Sequence, residues 1–165
     1  MPEKSPQPFR VFHLQPGVGA SELAQLPEAP PAQGFYWIAC TRAAFSAELP
    51  RLQAMLQAVA GLQLVDLHVS DLLNAQLPSH YDYTSQYDLL VVRRLGTAQA
   101  DAGAPLARPA ARGGLPVLRR IDTSPVGFAV FDQVLLSVHP GDCGVRDAYA
   151  ARLLSQAAPA APAAT

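Results

Sequence analysis

The chain has 165 residues, half of them hydrophobic, which is enough for one domain of ordinary size with a sizeable core. Its 12 basic and 13 acidic residues give a formal net charge of −1, so charge provides no argument for binding to nucleic acid or to an anionic membrane. Two cysteines, Cys40 and Cys143, are too few for a disulfide scaffold in a chain of this length. They form no CxxC pair, which argues against structural zinc.

The beginning of the chain is polar and rich in proline. Residues 1–8 contain three prolines and are expected to be a disordered tail, and they lack the apolar segment of a secretory signal. No stretch approaches the roughly 18 consecutive apolar residues that a membrane helix needs. We therefore expect a soluble, cytoplasmic protein with a single domain over residues 9–155.

The first predicted strands lie on either side of a proline-rich segment. Phe9–Leu14 alternates apolar and polar residues, which is typical of a half-buried or edge strand. Residues 15–33 contain four prolines and two glycines, so long regular structure is not expected there, although Ser21–Leu26 could form one helical turn. Phe35–Cys40 is apolar on both faces, which predicts an interior strand covered on both sides.

Two helices are predicted next. Ser46 is a plausible N-cap for a helix that ends at Ala60, with Pro50 in its first turn and Gly61 just after it. Its apolar face consists of Leu49, Leu52, Met55, Leu56 and Val59. Residues 62–65 are a connector or a short strand, and a second helix begins at Asp66 or Leu67 and ends before Pro78. The second helix should turn Val69, Leu72 and Leu73 inward and His68, Asp71 and Asn74 to another side.

The second half contains further strands and one helix. We interpret His80–Gln86 as a linker and Tyr87–Leu95 as a strand with an unbroken apolar centre. The alanine-, glycine- and proline-rich residues 97–114 should be a mobile loop, because they cannot bury enough surface to offset the loss of entropy on ordering. Leu115–Ile121 is expected to be another strand.

The remaining segments complete the predicted domain. Val126–Phe131 and Val134–Val138 predict an antiparallel hairpin, and Gly144–Ser155 predicts a helix with Val145, Tyr149 and Leu153 on one side. Residues 156–165 have the composition of an alanine/proline linker or a truncated end. Because Phe35–Cys40, a crossover helix and Tyr87–Leu95 make a βαβ-like start, we expect an α/β fold with a mixed β-sheet and helices on both faces.

Candidate metal ligands lie on the second predicted helix. His68 and Asp71 are three residues apart, so their side chains can share a face and contribute to a metal site. The alternative is an exposed polar face. A second polar cluster consists of His80, Asp82 and Asp88. Its alternative explanation is that Asp82 ends a turn and Asp88 begins a strand.

No enzyme class is indicated. The sequence has no GxGxxG, P-loop, HExxH or GxSxG motif, and any Ser/His/Asp triad would be an arbitrary choice. His139 precedes Pro140, where a solvated loop histidine is expected. Tyr81, Tyr83 and Tyr87 could stack on bases, but no basic groove accompanies them, so nucleic acid is not an expected partner.

The order of these segments resembles the N-terminal cytoplasmic domain of the CorA family of divalent-cation transporters, which includes the ZntB-type zinc transporters. The resemblance rests on Trp37-Ile38-Ala39, the leucine-striped helix, Ser70-Asp71-Leu72-Leu73-Asn74, Pro78 followed by Tyr81, Tyr87–Arg94, and the strand that ends Leu135–His139. The sequence departs from the family pattern in having Ala39 where an acid is common and Leu77-Pro78-Ser79 in place of Arg-Pro-Lys. It also contains no Gly-Met-Asn pore signature, since its two methionines are Met1 and Met55.

The resemblance implies a regulatory, cation-sensing domain at the cytoplasmic face of the inner membrane, without the stalk and pore. It implies self-association, since full-length family members are pentamers, and contact with the membrane only through C-terminal segments outside this chain; the isolated domain could be monomeric. Asp71 matches a carboxylate that holds regulatory Mg²⁺ between subunits, and weak Mg²⁺ binding is expected, with Zn²⁺, Co²⁺ or Ni²⁺ as other candidates. The alternative is a stand-alone module of the same fold that binds a ligand or a protein.

Overall fold

The structure, a computed structural model, describes residues 7–95, 123–141 and 143–156. In these ranges the chain forms seven strands and four helices. The strands are β1 (Phe9–Gln15), β2 (Gly19–Leu23), β3 (Phe35–Thr41), β4 (His80–Tyr83), β5 (Asp88–Leu95), β6 (Thr123–Val130) and β7 (Val134–His139). The helices are α1 (Arg42–Ala47), α2 (Leu49–Ala60), α3 (Asp66–Leu73) and α4 (Gly144–Ser155).

All described strands belong to one mixed sheet in the order β2-β1-β3-β7-β6-β5-β4. Strands β3 and β7 are parallel, with Tyr36 opposite Val134 and Thr41 opposite His139, and the other pairs are antiparallel. The predicted fold class and the predicted β6–β7 hairpin are confirmed. The predicted βαβ start is wrong in detail, because the hairpin lies between β3 and β5.

The two faces of the sheet are covered unequally. Helices α1, α2 and α3 cover one face and bury the larger core cluster, which includes Phe45, Leu52 and Leu56. Helix α4 lies on the other face, where Ala150 packs with Phe12 and Trp37. Side chains of β3 alternate between these clusters, so the predicted interior strand covered on both sides is confirmed.

Of the residues predicted to share one side of helix α4, Leu153 packs against the sheet cluster together with Ala150 and Leu154. Ala150 is fully buried, whereas Val145 and Tyr149 are 70% and 55% exposed. Beyond the helix, the same sheet face carries the exposed side chains of Leu90, Val92 and Val130. The helix therefore packs on the sheet around Ala150 and covers only part of this face.

Three local predictions are wrong, and pairing or capping explains each of them. Residues 19–23 form strand β2 rather than a helical turn, because they pair with β1 across a tight turn. Residues 80–83 form the edge strand β4 rather than a linker, because they pair with β5. The helical region begins at Arg42 with Thr41 as the N-cap, whose hydroxyl accepts the Ala44 N–H at 3.1 Å, so Ser46 is not the cap.

Several predictions fall outside the described residues. These are the loop at 97–114, the strand at Leu115–Ile121 and most of both tails, at residues 1–6 and 157–165. They stay predictions.

Gly34 and Gly61 provide a matched test of backbone strain and crowding. Both have positive φ, 78° and 75°, but a Cβ on Gly34 would lie 1.8 Å from the Leu14 carbonyl oxygen, whereas a Cβ on Gly61 would meet nothing within 4 Å. We expect Gly61→Ala to lower the free energy of unfolding by about 1 kcal/mol. Gly34→Ala should lower it by roughly 3 kcal/mol or more, because steric overlap adds to the strain. Urea denaturation followed by tryptophan fluorescence measures both, and equal losses would contradict the packing at Gly34.

Candidate functional site

Helix α3 and strand β4 face each other with two acid–histidine pairs. Nε2 of His68 lies 3.1 Å from Oδ2 of Asp82, and Nε2 of His80 lies 3.8 Å from Oδ2 of Asp71. His68 and Asp71 are three apart on the helix, and His80 and Asp82 are two apart on the strand, so each pair of positions shares a face. We call these four side chains the α3–β4 cluster.

A tyrosine from the next strand connection completes the contacts of His68. The hydroxyl of Tyr87 accepts the Val65 N–H at 3.0 Å and lies 2.7 Å from Nδ1 of His68. Because the carboxylate of Asp82 can only accept, the Nε2–H of His68 donates to it. The Nδ1 of the neutral ring then accepts the proton of the Tyr87 hydroxyl. Tyr87 and His68 are both buried, so this relay joins α3 to the sheet and does not present reactive groups to a substrate.

The relay explains why His68 departs from its predicted position. The sequence placed His68 on an outer polar side of the helix, yet it is 2% exposed and both ring nitrogens have partners. The signal that could have located it is the presence of Tyr87 and Asp82 later in the sequence, but helical periodicity alone does not identify them as its partners. The predicted grouping of His80 and Asp82 with Asp88 is not observed either, because Asp88 accepts the Tyr81 hydroxyl at 3.0 Å instead.

The electrostatics of the cluster centre on Asp82. The hydrogen bond from His68, reinforced by the Tyr83 backbone N–H, lowers the pKa of the Asp82 carboxyl below its usual value. Asp71, in contrast, is partly accessible, with a side chain that is 19% exposed.

A complete metal site is not present in the cluster. In the described ranges, no group of three or more His, Cys, Asp or Glu side chains is arranged to hold a metal ion. His68 would have to give up a hydrogen bond to become a ligand, whereas Asp71 could offer carboxylate oxygens. The metal role predicted for Asp71 and His68 stays a prediction.

A second polar site lies at the end of β7. His139 was expected to be a solvated loop residue, but it is the last residue of the strand and is 4% exposed. Burial, together with the positive charges of Arg146 and Arg94, lowers its pKa from 6.5 to about 4. The expectation is wrong because strand pairing with Thr41 draws residue 139 into the sheet.

Cys40 is a buried thiol on β3, next to Thr41, which pairs with His139. Burial raises the pKa of Cys40 to about 12, so Cys40 does not supply a thiolate nucleophile at neutral pH.

Solved structures with the same fold were found for nine-tenths of the chain. The chain is similar to the ZntB cytoplasmic domain from Vibrio parahaemolyticus, with a TM-score of 0.56 and 14% identity over 91% of this chain and 50% of that one. It is also similar to the full-length CmaX protein, with a TM-score of 0.53 and 16% identity over 92% of this chain and 39% of that one. For the soluble domain of CorA from Methanocaldococcus jannaschii, the TM-score is 0.53 and the identity 13%, over 89% of this chain and 46% of that one.

These likenesses confirm the resemblance at the level of fold: the chain has the architecture of a CorA-type soluble domain. It spans half or less of the length of the structures it matches. No family model and no curated protein matches the sequence. In the described part of the chain, no helix is long and apolar enough to cross a bilayer.

The Tyr87 hydroxyl can be tested with a matched tyrosine on the opposite sheet face. Tyr87→Phe should lower the free energy of unfolding by about 2 kcal/mol, because it leaves the Val65 N–H and the buried Nδ1 of His68 without a partner. Tyr81→Phe removes only an exposed hydrogen bond to Asp88 and should cost less than about 0.5 kcal/mol. Urea denaturation compares them, and a similar cost for both variants would argue against the relay.

The depressed pKa of His139 makes stability depend on pH in a defined window. The unfolded chain takes up this proton near pH 6.5 and the folded chain only near pH 4, so stability should fall as the pH decreases between these values. In an NMR titration, the imidazole of His139 should remain neutral at pH 5. A titration midpoint near 6.5 would refute the buried position, and His139→Gln should reduce the pH dependence of the urea midpoint.

Proposed function

We propose that this chain is the cation-sensing regulatory domain of a CorA-like divalent metal ion transporter, located at the cytoplasmic face of the inner membrane. The observation that carries the proposal is the likeness of fold over about nine-tenths of the chain to the cytoplasmic domains of ZntB and CorA. In this proposal, the stalk and the ion-conducting pore belong to polypeptide outside residues 1–165.

Asp71 is the residue that we propose to sense the cation. It lies on α3 at the edge of the sheet, and its carboxylate is partly accessible and lies 3.8 Å from His80. Carboxylate oxygens suit Mg²⁺, which keeps several waters and needs few protein ligands. Zn²⁺, Co²⁺ and Ni²⁺ are the other candidates.

The proposed site requires more than one copy of the chain. The described part of one chain does not bring three ligands together, so the other ligands of the cation at Asp71 would be water and groups from a second copy. Self-association is therefore part of the proposal, with a pentamer as the arrangement implied by the resemblance. A single chain should bind Mg²⁺ weakly, in the millimolar range.

A stand-alone ligand-binding module of the same fold is the second candidate. The observation that favours it is an apolar pocket between α4 and the sheet, far from the α3–β4 cluster in the fold. What the gene encodes after Thr165 separates the two: long helices and a Gly-Met-Asn between apolar segments support the transporter, and a stop codon supports the module.

The role of Asp71 can be tested by titrating the purified chain with Mg²⁺ and following backbone amide shifts by NMR. We expect amide shifts near Asp71 at millimolar Mg²⁺ that disappear in Asp71→Asn, because the substitution removes the charge and one of the two side-chain oxygens. Asp66→Asn is the matched control, since Asp66 is exposed on the same helix, and it should leave the changes in place. Tight saturable binding by the monomer, or changes that persist in Asp71→Asn, would contradict the proposed role.

A further inference from the structure

A pocket of about 290 Å³ lies between α4 and the face of the sheet that this helix covers only in part. Its wall is mostly apolar and combines side chains of the helix with those of β3 and β6, including Trp37, Val126, Phe128, Val145 and Tyr149. An apolar cavity of about 150 Å³ can hold a benzene ring, and pockets for drug-sized ligands begin at about 300 Å³. The size therefore fits a ligand of one or two rings.

The polar side chains around this pocket are basic. Among the described residues of its lining, Arg94 and Arg146 carry charge and none is a carboxylate. Arg42 lies close to His139, whose pKa its charge helps to lower. Asp147 pairs with Arg146 at 2.9 Å and with Arg10 at 3.1 Å. The guanidinium groups in the lining suit an anionic ligand group.

A buried imidazole nitrogen without a partner among the described residues belongs to the same wall. The Nε1–H of Trp37 donates to Oγ of Ser137 at 2.8 Å, and the same Oγ lies 2.8 Å from Nε2 of His139. Because Oγ accepts from tryptophan, its own proton is free to go to Nε2, which leaves the proton of the neutral imidazole on Nδ1.

That Nδ1 is buried and has no hydrogen-bond partner in the described part of the chain. His139 lines the pocket and is only 4% exposed. A buried donor without a partner is costly, and a ligand oxygen would remove that cost. The hydrogen-bond chain from Trp37 thus orients His139 as a donor rather than an acceptor.

We propose that this pocket binds a small aromatic carboxylate. The ring would lie among Trp37, Phe128 and Tyr149, and the carboxylate would face Arg94, Arg146 and the Nδ1–H of His139. An aromatic body suits the aromatic wall, and a carboxylate accepts from both guanidinium groups and the imidazole. The proposal concerns the opposite sheet face from Asp71 and holds whether or not the chain belongs to a transporter.

Trp37 is the single tryptophan of the chain and provides the readout. Titration of the purified chain with sodium benzoate should change its tryptophan fluorescence in a saturable way. Benzamide has nearly the same shape without the charge and should bind at least about tenfold more weakly, since a charge-assisted hydrogen bond is worth about 1.4 kcal/mol or more, which is a factor of ten. No saturable change with millimolar benzoate, or equal binding of benzamide, would overturn the proposal.

Two pairs of variants locate the binding. Tyr149→Ala opens an exposed wall of the pocket and Arg94→Gln removes a positive charge, and each should weaken benzoate binding by about tenfold. Their controls are Tyr81→Ala, an exposed tyrosine outside the pocket lining, and Arg51→Gln, an exposed arginine on α2. The controls should bind benzoate like the original chain. Binding that is unchanged in both Tyr149→Ala and Arg94→Gln would overturn the assignment to this pocket, and circular dichroism confirms that each variant is folded.

Discussion

The parallel pairing of β3 with β7 is the constraint on which the rest of this structure depends. It joins segments about a hundred residues apart, and the buried hydrogen bond from Trp37 to Ser137 crosses the same pair. A late hairpin is thereby inserted into the middle of the sheet, between β3 and β5. Because β3 and β7 are buried on both faces, they divide the apolar residues of the domain into the two clusters that the helices cover.

The two faces have different consequences for function. On the face of α1–α3, the core is closed and polar groups appear at its edge, where α3 meets β4. There the buried hydrogen bonds of Tyr87 and His68 anchor the helix, while Asp71 is partly accessible on the same helix. On the other face, the fully buried contact of α4 with the sheet is a small residue, Ala150, flanked by the partly buried Leu153 and Leu154. A pocket with arginine and aromatic side chains lies beside the helix.

The two proposed sites are compatible because they lie on opposite faces of one sheet. A cation site at Asp71, as proposed, would lie at the edge of the domain, where α3 meets β4. A site for an organic anion would be complete within one chain, since aromatic wall, guanidinium groups and an imidazole donor converge there. The two proposed sites would thus lie on opposite sides of the sheet that contains the β3–β7 pair.

Residue pattern was sufficient wherever an element depends on its own periodicity. The apolar run of β3, the leucine face of α2 with Gly61 at its end, the hairpin of β6 and β7 and the bounds of α4 all follow from spacing within the segment. The α/β class with helices on both faces follows from their order.

Tertiary structure alone decided the features that depend on a distant partner. Strands β2 and β4 exist because β1 and β5 offer them hydrogen bonds, which overrides the local preference for irregular structure. His68 is buried because the Tyr87 hydroxyl binds its ring, and His139 is buried because β7 pairs with the distant strand β3. Tyr149 is exposed because α4 packs on the sheet through Ala150. The period of a helix or strand is a property of a segment, whereas the burial of a polar side chain depends on which other segments fold against it.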